Sequence, residues 1–239
     1  PSVSKLVEFF KSAKADAARQ NRRLLFQPDG QQQVNKLIKD MSRGEVEAAL
    51  LLNDVSGIPN MRSYREHEAQ HGAMPVQVSI DADSLKWVND NLSHMKGDAM
   101  LRKVGRALAE AVDGQASLGY HKSGDEFIMQ AETEEAAYDA LDALEELLDG
   151  AILEETTEDG HTIRVEGLRV THGINLEGDL QNADQNLKDA KEYKALRGQR
   201  AGRGEIPPQV RILDRDGNEL SGDASRAYIE NRRREKAEA

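Results

Sequence analysis

Two acidic motifs carry the side chains of this chain best suited to chemistry: Asp81-Ala82-Asp83 and Asp125-Glu126. The second pair lies in Tyr120-His121-Lys122-Ser123-Gly124-Asp125-Glu126-Phe127-Ile128-Met129, two β-like runs around a small-residue turn. That pattern predicts a tight hairpin with two carboxylates at its tip. Gly124 permits a positive φ there and lets a ligand approach without meeting a Cβ. Such a tip can hold a metal ion against a phosphate, whereas an isolated Gly-Asp-Glu is more often a solvated surface turn. A third motif, His67-Glu68-Ala69-Gln70-His71, fits the H-E-x-x-H zinc pattern, with two imidazoles one helical turn apart and a glutamate as base. No third ligand follows at the metzincin spacing, and histidines in a last helical turn also complement the helix dipole. Asp81-x-Asp83 lacks the glycine that a calcium loop needs.

The elements that must position these residues can be read from periodicity. Asn60 is a good N-cap for a helix to about His71, which Gly72 ends. Val76, Val78 and Ile80 alternate with Gln77 and Ser79, so residues 74–80 read as a strand delivering Asp81 at its exit. Residues 84–92 make a short helix. Lys96 opens a longer one to about Val112, with Met100, Leu101, Val104, Leu108 and Val112 as its core stripe. Strands are expected at 116–120 and 126–131. Thr133 caps a helix to Leu148 with Leu141, Leu144, Leu147 and Leu148 facing inward. Residues 161–174 read as one strand paired with the run around Leu153, followed by a helix from about Gly178 to Leu196. A basic loop, a hairpin around Asp216-Gly217 and a charged terminal helix from about Asp223 complete the chain. Upstream, helices are expected at 4–25, 32–41 and 45–52. The order β-α-α-β-β-α-β-α-β, with parallel and antiparallel pairs, predicts an α+β fold: a palm-like or ferredoxin-like central mixed sheet flanked by helices, with an N-terminal helical extension.

Composition narrows the function classes. The 239 residues carry no cysteine, which excludes thiolate chemistry and a disulfide framework. A net charge of −11 argues against a general nucleic-acid coat, and 4% aromatic content against a stacking platform for single strands. No run approaches a membrane span, and the first residues lack the apolar core of a signal peptide. A cytoplasmic protein without membrane or nucleic-acid partners is expected.

Taken together, four separated motifs resemble the GGDEF family of diguanylate cyclases, over roughly residues 53–204. Asn53-Asp54-Val55-Ser56-Gly57-Ile58-Pro59-Asn60-Met61-Arg62 is similar to the family's entry motif. Asp81-Ala82-Asp83-Ser84-Leu85-Lys86-Trp87-Val88-Asn89-Asp90, with His94-Met95-Lys96-Gly97-Asp98, resembles D-x-D-x-F-K-x-x-N-D followed by H-x-x-G-D. Ser123-Gly124-Asp125-Glu126-Phe127 is the signature with Ser for the first Gly, and Ala183-Asp184 to Ala190-Lys191 resembles the closing segment. The resemblance implies that Asp81, the Ala82 carbonyl and Asp125 hold Mg²⁺ or Mn²⁺, two ions per active site. It makes Asp125, Glu126 and Lys191 catalytic. Lys86, Asn89, Asp98 and Gly124 become substrate-binding: Asn89 and Asp98 read guanine, and Lys86 and Lys191 meet phosphate. An amide and a carboxylate suit guanine's carbonyl and amino edges, and hard oxygen ligands suit Mg²⁺ shared with phosphates. The implied reaction condenses two GTP into cyclic di-GMP with release of pyrophosphate, at the interface of a homodimer. Expected boundaries are 1–52 for the extension, 53–213 for the catalytic domain, and 214–239 for a hairpin end and tail.

The chain departs from the family pattern at several places. Asn53 stands for Asp and His121 for Arg, two positions that normally form a salt bridge, which leaves room for a neutral Asn–His contact. Ser123 replaces Gly, acceptable where φ is negative. Lys188 replaces Tyr. The basic partner after Lys191 is open among Lys194, Arg197 and Arg200. The family's product-inhibition motif would require Arg and Asp where Gly114 and Ser117 stand, so no feedback through that site is expected. A GGDEF-like module that binds GTP or a protein partner without turnover is the alternative function, and a zinc hydrolase through His67 and His71 a third.

Overall fold

The computed structural model describes residues 50–199, 201 and 205–238. The helices expected at 4–25 and 32–41, and most of that at 45–52, lie outside these residues. The first described long helix, α1 (Met61–His71), begins where the Asn60 side chain accepts from the N–H groups of Arg62 and Ser63. It ends at Gly72, at φ +82°. β1 (Val76–Ala82) is buried at every position, as a central strand must be when both faces are covered. The short α2 (Leu85–Asn91) and the long α3 (His94–Ala111) follow. α3 starts two residues before the expected Lys96 because the Ser93 side chain accepts from the Lys96 N–H and caps it.

β2 (Ser117–Ser123) and β3 (Glu126–Ala131) form the expected hairpin. α4 (Glu134–Asp149) is capped by Thr133 and buries Ala137, Ala140, Leu141, Leu144 and Leu148. Leu147, expected to face inward, is 37% exposed, because it falls at the edge of that stripe. The single strand expected over 161–174 is two strands, β5 (Thr162–Glu166) and β6 (Val170–Asn175), in different sheets. Gly167, at φ +75°, breaks the run between them. β5 pairs with β4 (Ile152–Thr156) and β7 (Val210–Leu213) in a three-stranded sheet. α5 (Leu180–Leu196) follows β6, and α6 (Gly222–Glu238) closes the described chain.

The main sheet has the order β2-β3-β1-β6. β1 and β2 run the same way, as their α2–α3 crossover requires, but β3 inserts between them; β1 inserts likewise between β3 and β6. Every strand pair is therefore antiparallel, where mixed pairing was expected. The one parallel contact among the described residues is the isolated bridge of Asn60 with His121. The α+β palm-like class stands. One sheet face, with Val78, Ile80, Phe127 and Met129, packs on α3 and α4 as the main core. The other carries Gln77, Ser79 and Asp81 and lies under α1 and α5. α5 approaches this face closely: a Cβ on Gly173 would stand 2.0 Å from the Leu187 N.

Candidate active site

The β2–β3 hairpin turns through Gly124 and Asp125 alone, since Ser123 already pairs with Glu126. Gly124 takes φ +55°, as the first position of a II′ hairpin turn requires, and Ser123 is not among the positive-φ residues. The Ser for Gly replacement is thus accommodated without backbone strain. The register shifts between His121 and Ser123, which makes Lys122 the extra residue of a β-bulge. Bulges re-aim side chains, and here Lys122 is directed to the α5 side of the sheet while His121 faces the core.

Asp81 is 2% exposed and stands directly across from Glu126 in the β1–β3 register. Adjacent to it, the Ala82 N–H donates to the Asp125 carbonyl at 2.8 Å, tying the strand exit to the hairpin tip. The end of β1 and the tip thus bring three carboxylate-bearing residues to one edge. Lys191, from α5, places its Nζ 2.6 Å from Asp81 Oδ2, so a cation already meets the buried carboxylate. Asp83 is used differently. The Thr171 hydroxyl donates to both its oxygens at 2.9 Å, and Lys194 Nζ lies 3.9 Å away, so Asp83 pins β1 to β6.

A second cluster lies beside the first. Asp184 accepts from Lys122 Nζ at 2.8 and 2.9 Å and from the Ser79 hydroxyl, and Lys122 Nζ lies 3.7 Å from Glu126. Lys122 therefore bridges Glu126 on the hairpin and Asp184 on α5. Sequence reasoning passed over it, because alternation alone does not reveal a bulge.

The two positions expected to read guanine meet at the α2–α3 junction. The Asn89 Oδ1 lies only 1.9 Å from where a Cβ of Gly97 would be, so Asn89 packs onto α3 next to Asp98. Both residues are half-buried. Lys86 instead points outward and pairs with Asp90 on its own helix at 2.8 Å, with its side chain 76% exposed. Of the basic candidates past Lys191, Lys194 donates to the Val170 carbonyl at 2.7 Å and Arg197 lies over the Tyr193 ring at 4.9 Å. Arg200 lies outside the described residues.

The brace at the altered pair runs through a third residue. His121, 2% exposed, stacks on Phe127 at 4.4 Å. Its Nε2 lies 3.0 Å from the Gly124 carbonyl and its Nδ1 2.8 Å from the Ser56 hydroxyl. Burial pulls its pKa below the usual imidazole value, against the Gly124 carbonyl and the nearby acids. The neutral ring therefore donates from Nε2 to Gly124 and accepts from the Ser56 O–H at Nδ1. Ser56 is in turn held by Asn53, whose Oδ1 accepts from the Val55 and Ser56 N–H groups at 2.9 Å. The expected direct Asn–His contact is replaced by this Asn53–Ser56–His121–Gly124 relay.

His67 and His71 stack with centroids 4.9 Å apart, yet among the described residues no three His, Asp or Glu side chains are grouped to hold a metal ion. That applies to the acidic edge too. The donor set fits a hard divalent ion that draws its remaining ligands from phosphate, and the Lys191 ammonium marks a cation position on Asp81.

The family described as diguanylate cyclase, GGDEF domain, matches residues 59–197, more than half of the 239-residue chain. Among solved structures, the chain is similar to the diguanylate cyclase SiaD of Pseudomonas aeruginosa, in complex with its activator SiaC. Identity is 22% over 80% of this chain and 76% of that one, with a TM-score of 0.50. It is also similar to a sensory box/GGDEF family protein of Caulobacter crescentus, at 26% identity over 60% and 99% of the two chains, with a TM-score of 0.44. The coiled coil and GGDEF domain of DgcB from Caulobacter crescentus, in complex with c-di-GMP, matches at 18% identity over 72% and 93%, with a TM-score of 0.49. No curated protein matches.

Proposed function

The chain belongs to the GGDEF-domain family of diguanylate cyclases, and from that premise we propose that it condenses two GTP into cyclic di-GMP. The observation that carries this reading is the acidic edge: Asp81 opposite Glu126, Asp125 at the two-residue tip, and the Lys191 ammonium on Asp81. Asp81, Asp125 and the Ala82 carbonyl would hold Mg²⁺ or Mn²⁺. When bound, such ions supply charge neutralisation for the phosphates and activation of the attacking hydroxyl. Lys191 can exchange its contact with Asp81 for one with a phosphate oxygen. Gly124, without a Cβ, leaves the tip open to the nucleotide; Asp98 accepts from the guanine N–H groups, and Asn89 can both donate and accept at the guanine edge. Lys86 reaches a phosphate only by leaving its surface pair with Asp90, which is worth little because both partners are solvated.

Members of this family work as dimers. Each subunit here offers one acidic edge and one base-reading pair, half of what a symmetric condensation needs. In the dimer, each bound 3′-hydroxyl faces the α-phosphate held by the other subunit; a new P–O bond forms at each and pyrophosphate leaves from each. We place the catalytic unit in residues 53–213. Among the described residues no helix is long and apolar enough to cross a membrane.

The test is incubation with GTP and Mg²⁺ or Mn²⁺, followed by detection of pyrophosphate and the cyclic dinucleotide, with Asp125→Ala as control. Product that depends on Asp125 supports the cyclase. GTP binding without product at high enzyme concentration leaves the non-catalytic GTP-binding module instead.

A further inference from the structure

α2 carries Asn89 but is poorly equipped to hold itself in place. It has seven residues, about two turns, and isolated helices of that length are not stable. Its N-cap, Ser84, makes no side-chain capping bond and sits at φ +73°, the only positive φ of a non-glycine among the described residues. That backbone conformation is costly for an L-residue and persists only where the surroundings enforce it.

The inner face of α2 is held by Trp87 and Val88 in the main core and by packing on α3, while further contacts at both its ends come from beyond residue 197, past the family match. At the N-terminal end, Gln209 Nε2 lies 3.4 Å from the Ser84 hydroxyl. At the C-terminal end, α6 supplies two guanidinium groups. Arg232 Nε donates to the Asn91 main-chain carbonyl at 3.3 Å, where the last carbonyls of a helix lack intrahelical partners. Arg233 Nε donates to the Asn91 side-chain Oδ1 at 2.9 Å. Asn91 is 2% exposed and donates its own Nδ2 to the Trp87 carbonyl at 2.8 Å, so the Arg233 contact is relayed into the body of α2. Both cations also oppose the negative end of the helix dipole.

α6 is itself fixed one turn before these arginines. Tyr228 donates to Asp159 at 3.1 Å, lies 3.0 Å from the Thr157 hydroxyl, and stacks on His161 at 4.5 Å. Ile229 is 2% exposed in the main core, and Arg232 Nη2 lies 3.4 Å from Glu155 on β4. α6 is thus a strap from the β4–β5 loop to α2.

We propose that Arg233 is a positioning residue for base recognition: through Asn91 it fixes α2, and with it the orientation of Asn89 toward a bound guanine. This rests on the reading of Asn89 and Asp98 as the guanine-reading pair. Arg233 touches no substrate, so its loss acts on selectivity for the base rather than on the phosphate half of the site.

The test compares binding of α,β-methylene GTP with that of its inosine counterpart, which lacks the 2-amino group, to the full chain with Mg²⁺, alongside thermal unfolding. The wild-type chain is expected to favour guanine by roughly tenfold, a difference of one good polar contact. Arg233→Met is expected to reduce that preference to about twofold or less, with inosine affinity held. Arg233→Lys, which keeps a charged donor for Asn91, retains most of it. Equal base preference in wild type and Arg233→Met overturns the inference and leaves the cyclase reading standing. An equal loss of both affinities with a lowered melting temperature also overturns it, because that marks a merely structural role. Failure of the wild type to bind the guanine analogue sinks the functional reading, and the inference with it.

Discussion

At the scale of single residues, the acidic edge is built from side chains in unequal surroundings. Asp81 is buried with the Lys191 ammonium 2.6 Å from its carboxylate, so removing that cation takes a charge-assisted contact from a buried charge. Lys191→Met should destabilise the fold by about 1–3 kcal/mol, with Mg²⁺ restoring part of the loss, measured by urea unfolding with and without the ion. His121 gives a pH signature. Burial holds its pKa, and that of His172 on β6, below the ordinary imidazole value of 6.5. Unfolded imidazoles take up a proton near that value while the folded ones resist it. The contribution of both rings to stability is therefore full above about pH 6.5 and is lost as pH falls through 6.5 toward the folded values. His121→Phe keeps a ring over Phe127 but removes both hydrogen bonds. It should lower stability at pH 7.5 and flatten the dependence between pH 7.5 and 5.5; an unchanged slope would assign the dependence elsewhere. His172 faces Glu145, Asp142 and Lys194, which modulate its share.

At the scale of elements, two glycines make opposite predictions from the same kind of close approach. A Cβ at Gly173 would meet main-chain atoms of α5, 2.0 Å from the Leu187 N and 2.6 Å from the Ala183 carbonyl oxygen. Gly173→Ala must lift α5 off β6, carrying Lys191 and Asp184 with it, and should cost at least about 2 kcal/mol as well as activity. A Cβ at Gly97 would meet the Asn89 side chain, which can swing away. Gly97→Ala should therefore leave the melting temperature nearly unchanged while raising the KM for GTP, and a large stability loss there would contradict the assignment of Asn89 to the site. The helices and strands themselves were legible because their stripes and caps are local: Asn60 and Thr133 cap as expected. The break at Gly167 was not, since a lone glycine within a strand-like run does not show that β5 and β6 pair in different sheets.

For the whole molecule, the C-terminal segment is part of the fold. α6 buries Ile229 in the main core, spans from the β4–β5 loop to α2, and completes what the short α2 lacks. Ile229→Ala should cost about 2–5 kcal/mol and should shift a single cooperative transition rather than split it. Two resolved transitions would mean that the segment folds apart from the catalytic unit. The sequence read this region as a charged helix, and its charge is what obscured its role: Arg232 and Arg233 look like a solvated basic run until α2 is placed beside them.

The sequence by itself determined the α+β class, the hairpin and the family, because short-range periodicity, turn chemistry and four ordered motifs are all written along the chain. It also put forward Asp81, Asp125, Asn89 and Asp98 as candidates for the site. Only the tertiary structure decided how these residues are held. Ser56 joins Asn53 to His121, Lys122 links Glu126 to Asp184 through a bulge, and Arg233 reaches Asn91 from the far end of the chain. Each of these contacts depends on register, a bulge or long-range packing. None leaves a periodic trace, since a polar side chain that is buried by a distant element looks the same in sequence as one exposed to water.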